Sequence, residues 1–347
     1  MDIFILVYAL LIILSVFGKR GKEDYLSVEY TTNMRGIAAI GIILHHMSER
    51  TTEGHIFGYM TIAGYLLVSF FFFLSGYGLV IQYKKKKEKY LDGFIKKRLL
   101  YIVIIYLLDV ALYAVVRNLT GEHFTLVDVL KSIIISGVAK NSWYLIVLIA
   151  LYVSFYFVFK CKRIKSIPNK ILCIFAIETV FVIFCIIFNV PSMWFLSNYG
   201  FVLGLIWAYK KETIDSVLNK KYFIALASVA AIFVVLYVVP VVTDRFMPRS
   251  DAHYIRTAFR LVSPLFTVAL VIVLSYKFKP SLFIWKWLGG ISLEIYLIHG
   301  LVYSVLRSDV IWIENETIWV LLTIIISIAL AYPISLMNKQ ISKLLRK

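Results

Sequence analysis

Apolar blocks, each near 20 residues long and separated by short polar stretches, run through the whole chain. Eleven of them are candidate spans: 2–17, 33–49, 60–82, 98–116, 142–159, 171–189, 192–209, 222–241, 258–276, 285–305 and 316–337. A helix needs about 20 apolar residues to cross a hydrocarbon core of about 30 Å. The runs are continuous rather than alternating, which predicts helices and excludes a transmembrane β-barrel. The expected fold is an all-α, polytopic transmembrane helical bundle. Its tenth span is the least regular, because Glu294 and His299 interrupt it. Between spans the longest loops are 117–141 and 242–257, and Phe124 to Ser136 reads as a short helix lying in the interface.

Composition agrees with the pattern. Hydrophobic residues make up 61% of 347 and charged residues 16%, where soluble domains carry about 25% charged. Mean hydropathy is +0.84. The net charge of +17 would suggest nucleic acid in a soluble chain. Here the basic residues lie between apolar blocks, so they read as orientation signals and no nucleic-acid partner is expected. Of the 37 Lys and Arg, 27 fall in alternate loops beginning with 18–32 together with the C-terminal tail, 9 fall in the other loops and their span edges, and Arg35 lies within a span. Basic residues concentrate on the cytoplasmic side. The N-terminus is therefore expected outside and the C-terminus inside, in a plasma membrane. Cys161, Cys173 and Cys185 are odd in number and read as structural, not as a disulfide or metal framework. The first span reads as a retained anchor flanked by Lys19, Arg20 and Lys22.

Ionisable groups inside spans are costly, which makes each a functional candidate. Arg35 opens the second span and His45 and His46 close it. At about 100° per residue, Arg35 and His46 fall within about 20° of one face, about 16 Å apart along the axis. That suits an elongated ligand with an anionic end and a reactive end. The duller alternative is that Arg35 snorkels to headgroups and the histidines meet the interface. His299 lies at a depth like that of His46, and neutral imidazoles serve as general bases near neutral pH. Glu294 is either a partner or a structural carboxylate, while Asp109 and Glu178 read as helix–helix hydrogen-bonding groups. Ser75 and Gly76, near the end of the third span, read as packing residues. Lys84, Lys85, Lys86, Lys87 and Lys89 suit anionic lipid, and Lys97 and Arg98 suit phosphate. No glycine-rich phosphate loop or dinucleotide fingerprint is present.

Four segments in order, MRGIAAIGIILHH, FFFLSGY, SWYL and GGISLEIYLIHG, resemble the membrane-bound acyltransferase-3 family over about residues 28 to 337. The resemblance implies residues 1–27 as an added anchor with its loop, an acyltransferase domain over 28–340, and a tail over 341–347. It implies an O-acyltransferase with acyl-coenzyme A, acetyl-CoA on family analogy, as donor substrate at the cytoplasmic face and no metal. The acceptor would be a hydroxyl of a cell-surface or lipid-linked glycan. By position Arg35 would hold the donor with Lys97, Arg98 and Ser75, and His46 would be catalytic with His299 orienting or stabilising charge. Direct transfer and an acyl-histidine intermediate both stay open. Trp143, Tyr144, Arg245, Arg249 and His253 would present the acceptor. Tyr101 stands where relatives often carry a second Arg, and Asn141-Ser142 precede Trp143 where His or an aromatic is common. No serine-hydrolase-like extracellular domain follows, so no second transfer step is expected. The rival reading, a non-enzymatic transporter or flippase of a lipid-linked glycan, finds no internal repeat with paired broken spans.

Overall fold

The computed structural model describes residues 1–17, 24–247 and 249–346, without the side chains of 241, 244, 245 and 249–254. These residues form helices and no β-strand. In chain order the helices are α1 (Asp2–Val16), α2 (Val28–Ser48), α3 (Gly64–Lys86), α4 (Lys89–Asp92), α5 (Leu100–Leu119), α6 (Leu126–Ile135) and α7 (Trp143–Lys160). There follow α8 (Ile167–Ile187), α9 (Tyr199–Tyr209), α10 (Lys211–Phe246), α11 (Arg249–Lys277), α12 (Phe283–Gly289), α13 (Ser292–Val305) and α14 (Glu316–Leu344). A wide turn, Ile95–Leu99, leads straight into α5.

Every expected span contains a helix, but the helices differ in their fitness to cross a membrane. Seven stretches among the described residues are long and apolar enough, and the bent α12–α13 pair adds an eighth if read as one span. The other three are α1, with 15 residues, α9, with 11, and α2, whose Asn33, Arg35, His45 and His46 lower its apolar character. The outward faces of α8 and α10 carry exposed Phe, Ile and Val side chains, as hydrocarbon requires.

Two helices depart from the blocks read in the sequence. The seventh block becomes a short turn, Ser192–Trp194, before α9 begins at Tyr199. Polar side chains hold that irregular stretch inside protein: Ser197 donates to the Tyr65 carbonyl (2.8 Å) and Asn198 to the Trp194 carbonyl (3.1 Å). Non-helical backbone survives at membrane depth only where such partners exist. The tenth block breaks after Gly289, and α12 and α13 meet at 75°.

Glycines set the packing around α2. A Cβ on Gly36 would lie 2.1 Å from the Trp285 carbonyl oxygen, and one on Gly289 would lie 1.8 Å from that of Thr32. Backbone therefore meets backbone where α2 crosses α12, as small residues allow inside bilayers. Gly76 of α3 and Gly200 and Gly204 of α9 make a second such crossing. The first helix is also docked. Tyr8 donates to the Ile37 carbonyl (2.9 Å), and Trp285 donates to that of Leu11 (3.4 Å). α6 opens with a capping box in which Thr125 and Asp128 satisfy each other's amides. Those hydrogen bonds from Thr125 hold the exposed Asp128 carboxyl below its ordinary range. Leu126, Val127, Leu130, Ile134 and Ile135 are exposed on α6, which fits a helix lying in an interface.

Candidate active site

The centre of the site is a ring stack between two helices. His46, in the last turn of α2, faces His299 of α13 with ring centroids 5.2 Å apart and planes inclined by 24°. Each imidazole is oriented from behind. His299 Nδ1 lies 3.1 Å from the Ile295 carbonyl, which can only accept, so Nδ1 carries the proton. Its Nε2 then accepts from the Asn141 side-chain amide at 3.2 Å. Asn141 sits at φ +68°, a left-handed conformation that Asn tolerates better than most residues. Tyr296 fixes that turn by donating to the Asn141 carbonyl (3.1 Å). His46 Nδ1 donates to a Glu49 carboxylate oxygen at 3.2 Å, which leaves Nε2 with its lone pair. Arg50 grips the same Glu49 carboxylate (3.2 Å), donates to the His46 carbonyl (2.7 Å), and lies over the Tyr303 ring. His45 packs its ring 4.7 Å from that of His46, and its Nδ1 donates to the Met60 carbonyl at 2.9 Å.

A cavity of about 890 Å³ opens at the other end of α2. Its walls include Arg35, Ser75, Arg98, Tyr101, Tyr144 and Tyr296. Arg35 makes one side-chain hydrogen bond, from Nη2 to the Thr32 hydroxyl (2.9 Å), while its buried Nε has no partner. No carboxylate pairs with Arg35 among the described residues. A guanidinium in that state is a ready anion receptor. Lys85 and Lys211 also line the cavity, although Lys211 is already engaged by Asp24 and Asp215. The inner wall reaches the histidines through Tyr296, whose ring packs on Tyr144 (4.9 Å) and on His299 (5.9 Å). Arg35 and His46 stand eleven residues apart on one helix, about 16 Å at 1.5 Å per residue. The cavity thus runs from a cationic mouth to Tyr296, whose ring stands between it and the paired imidazoles.

The residues singled out in the sequence are divided between this cavity and the histidine stack. Arg35, Ser75, Arg98 and Tyr144 share the cavity, and His46 and His299 share the stack. Tyr144 therefore lies on the Arg35 side rather than at an outer acceptor surface. Trp143 packs edge-on against Tyr144 and is almost wholly buried. Lys97 is exposed, runs along Gly93, and is not part of the cavity wall. Arg245, Arg249 and His253 lie outside the described side chains. Glu294 is bound by Asn338 of α14 (2.8 Å), which makes it a structural carboxylate. Asp109 Oδ2 is buried with no hydrogen bond, unlike the interhelical bonding expected of it. Sequence reasoning passed over Glu49 and gave Asn141 no role. Glu49 had a signal in its i+3 spacing from His46, whereas Asn141 is 158 residues from its partner.

Many helices apolar enough to cross a membrane, enclosing an anion-receptive cavity and oriented imidazoles, fit an integral membrane enzyme. The model of the acyltransferase-3 family, an acyltransferase domain, matches residues 28–336. The chain belongs to this family and is a multi-pass membrane acyltransferase. Neither the curated proteins nor the solved structures compared with the chain give a match.

Proposed function

We propose that this acyltransferase moves an acyl group, acetyl in the first instance, from acyl-coenzyme A to a hydroxyl of a cell-surface or lipid-linked glycan. The observation that carries the reading is the incompletely paired Arg35 at the mouth of a cavity whose far wall touches the His46–His299 stack. Phosphates of the donor dock beside Arg35 and Arg98 on the cytoplasmic side, and the pantetheine arm follows α2. The acceptor hydroxyl approaches His46 from the outer side. Nε2 of His46, free because Nδ1 is engaged by Glu49, takes the hydroxyl proton. The oxygen attacks the thioester carbonyl, the C–S bond breaks, and the departing thiolate takes up a proton. General-base assistance of this type contributes about 10²–10⁴-fold. Glu49 acts through His46 as a positioning residue, and His299 stabilises charge across the stack. An orientation with the N-terminus outside, in the plasma membrane, agrees with the loop charge asymmetry.

The test uses membranes supplied with radiolabelled acetyl-CoA, alongside acetyl-CoA binding to purified protein in detergent. Wild type should label a glycan or lipid-linked sugar fraction. His46→Ala should lose about 10²-fold or more of that transfer while still binding acetyl-CoA, and Arg35→Ala should bind it more weakly. A folded His46→Ala protein with wild-type transfer would overturn the mechanism.

A further inference from the structure

The end of α2 that carries the histidines presents a set of possible metal ligands in which His45, unused by the transfer reaction, joins His46 and Glu49. His45 Nε2 lies 3.6 Å from one Glu49 carboxylate oxygen, and His46 Nδ1 lies 3.2 Å from the other. One ligand atom from each of the three residues falls within 4.8 Å of the others. Zinc bonds of about 2.0–2.1 Å to nitrogen or oxygen, in tetrahedral geometry, place neighbouring ligand atoms about 3.3–3.4 Å apart. The two short distances run to different oxygens of the Glu49 carboxylate, so an ion would draw one oxygen and the two ring nitrogens together from a starting separation of at most 4.8 Å. His45 is prepared for the role. Its Nδ1 proton is held by the Met60 carbonyl at 2.9 Å, so Nε2 offers its lone pair. Bonding of the second ring nitrogen to a carbonyl is how metal-binding imidazoles are usually oriented. Three protein ligands leave a fourth tetrahedral position for water. Glu49 is exposed enough, at 41% of its side chain, for an ion to enter from solvent.

We propose that His45, His46 and Glu49 form an inhibitory site for a divalent cation of zinc type. Coordination to His46 Nδ1 displaces the proton now shared with Glu49. That proton passes to Nε2, and Glu49 is drawn onto the metal. His46 Nε2 then carries the proton and has no lone pair with which to take one from the acceptor. The inhibitory part rests on the assignment of His46 as the base; the binding part does not. Arg50 opposes the ion, because its guanidinium touches the Glu49 carboxylate at 3.2 Å. Removing that charge should strengthen binding, a response peculiar to a cation at this place.

Isothermal titration of ZnCl2 into the detergent-purified full chain decides the binding part. One site is expected in wild type. His45→Gln and Glu49→Gln should each weaken it about tenfold or more, Arg50→Gln should tighten it, and the surface control His55→Gln should leave it unchanged. Glu49→Gln keeps shape at an exposed position, so it remains informative if His45→Gln misfolds. Absence of zinc binding, or equal affinity in wild type and Glu49→Gln, would overturn the site. Acetyl transfer titrated with zinc, and restored by chelator, reads the second part. Wild type should be inhibited and His45→Gln resistant. Zinc bound at this site without inhibition would leave the site standing and remove its effect on His46. If no acetyl transfer is detected at all, the titration still decides the site, and the failure belongs to the proposed function.

Discussion

Asn141 shows how much one side chain can hold at the centre of this bundle. Its amide is the hydrogen-bond partner of His299 Nε2, and its backbone adopts φ +68°. The two contributions separate by substitution. Asn141→Gly removes the amide but suits the backbone, so its melting temperature should stay near wild type while acetyl transfer falls roughly tenfold, the worth of about one hydrogen bond. Asn141→Ala adds the left-handed penalty of about 1–2 kcal/mol and should lower both quantities. A melting curve for each, with transfer rates, separates them; equal transfer in wild type and Asn141→Gly would leave His299 oriented by Ile295 alone. Arg35, His46 and His299 were legible as residues because a charge or an imidazole inside an apolar block is conspicuous. Asn141 was not, because its conformation and its distant partner exist only once α7 and α13 are side by side. Tyr144 was visible but misplaced: its number in the chain says which helix it opens, not which side of that helix faces the cavity.

The crossing of α2 over α12 makes the position of His299 depend on glycine. At Gly289 a methyl group would meet the Thr32 carbonyl oxygen at 1.8 Å, whereas at Gly78 nothing lies within 4 Å. Because the Thr32 oxygen belongs to backbone, Gly289→Ala must push α12 away, and overpacking of this kind costs about 1–3 kcal/mol or more. α13 follows α12 after two residues, so the displacement reaches the His46–His299 stack. Gly289→Ala should therefore lower the melting temperature in detergent and abolish most transfer, while Gly78→Ala leaves stability within about 0.5 kcal/mol. An unchanged melting temperature for Gly289→Ala would mean that the two backbones are not in contact. Block reading located this helix but joined it to α13, since an apolar run does not register a 75° bend. The same limit applies at α9, where Ser197 and Asn198 hold a turn that apolar character alone would extend as helix. The start of α2 at Val28 was missed for a simpler reason: Ser27 caps it through the Tyr30 amide, inside a stretch too polar to count as span.

At the scale of the molecule, the two ends of the bundle have opposite chemical character. Glu49, Asn141 and the histidine stack lie at the end where α2 finishes and α7 begins, and the Arg35 cavity opens toward the end where α2 starts. Lys84, Lys85 and Lys86 close α3 at that second end. Charge asymmetry between loops was readable without coordinates because each Lys or Arg acts through its count, not its contacts. Which helices cross was less readable, since α9 and α2 are held by neighbours rather than by their own apolar length. The orientation itself yields a test independent of catalysis. With Cys161, Cys173 and Cys185 replaced by Ser, Glu53→Cys and Lys86→Cys each supply one exposed thiol, at opposite ends. A membrane-impermeant maleimide applied to intact cells should label Glu53→Cys and reach Lys86→Cys only after permeabilisation. The reverse pattern would put Arg35 and its cavity on the outer face. Coenzyme A thioesters are made and held inside the cell, so a donor could not reach that cavity and the transfer scheme would fail, whatever the local geometry of His46.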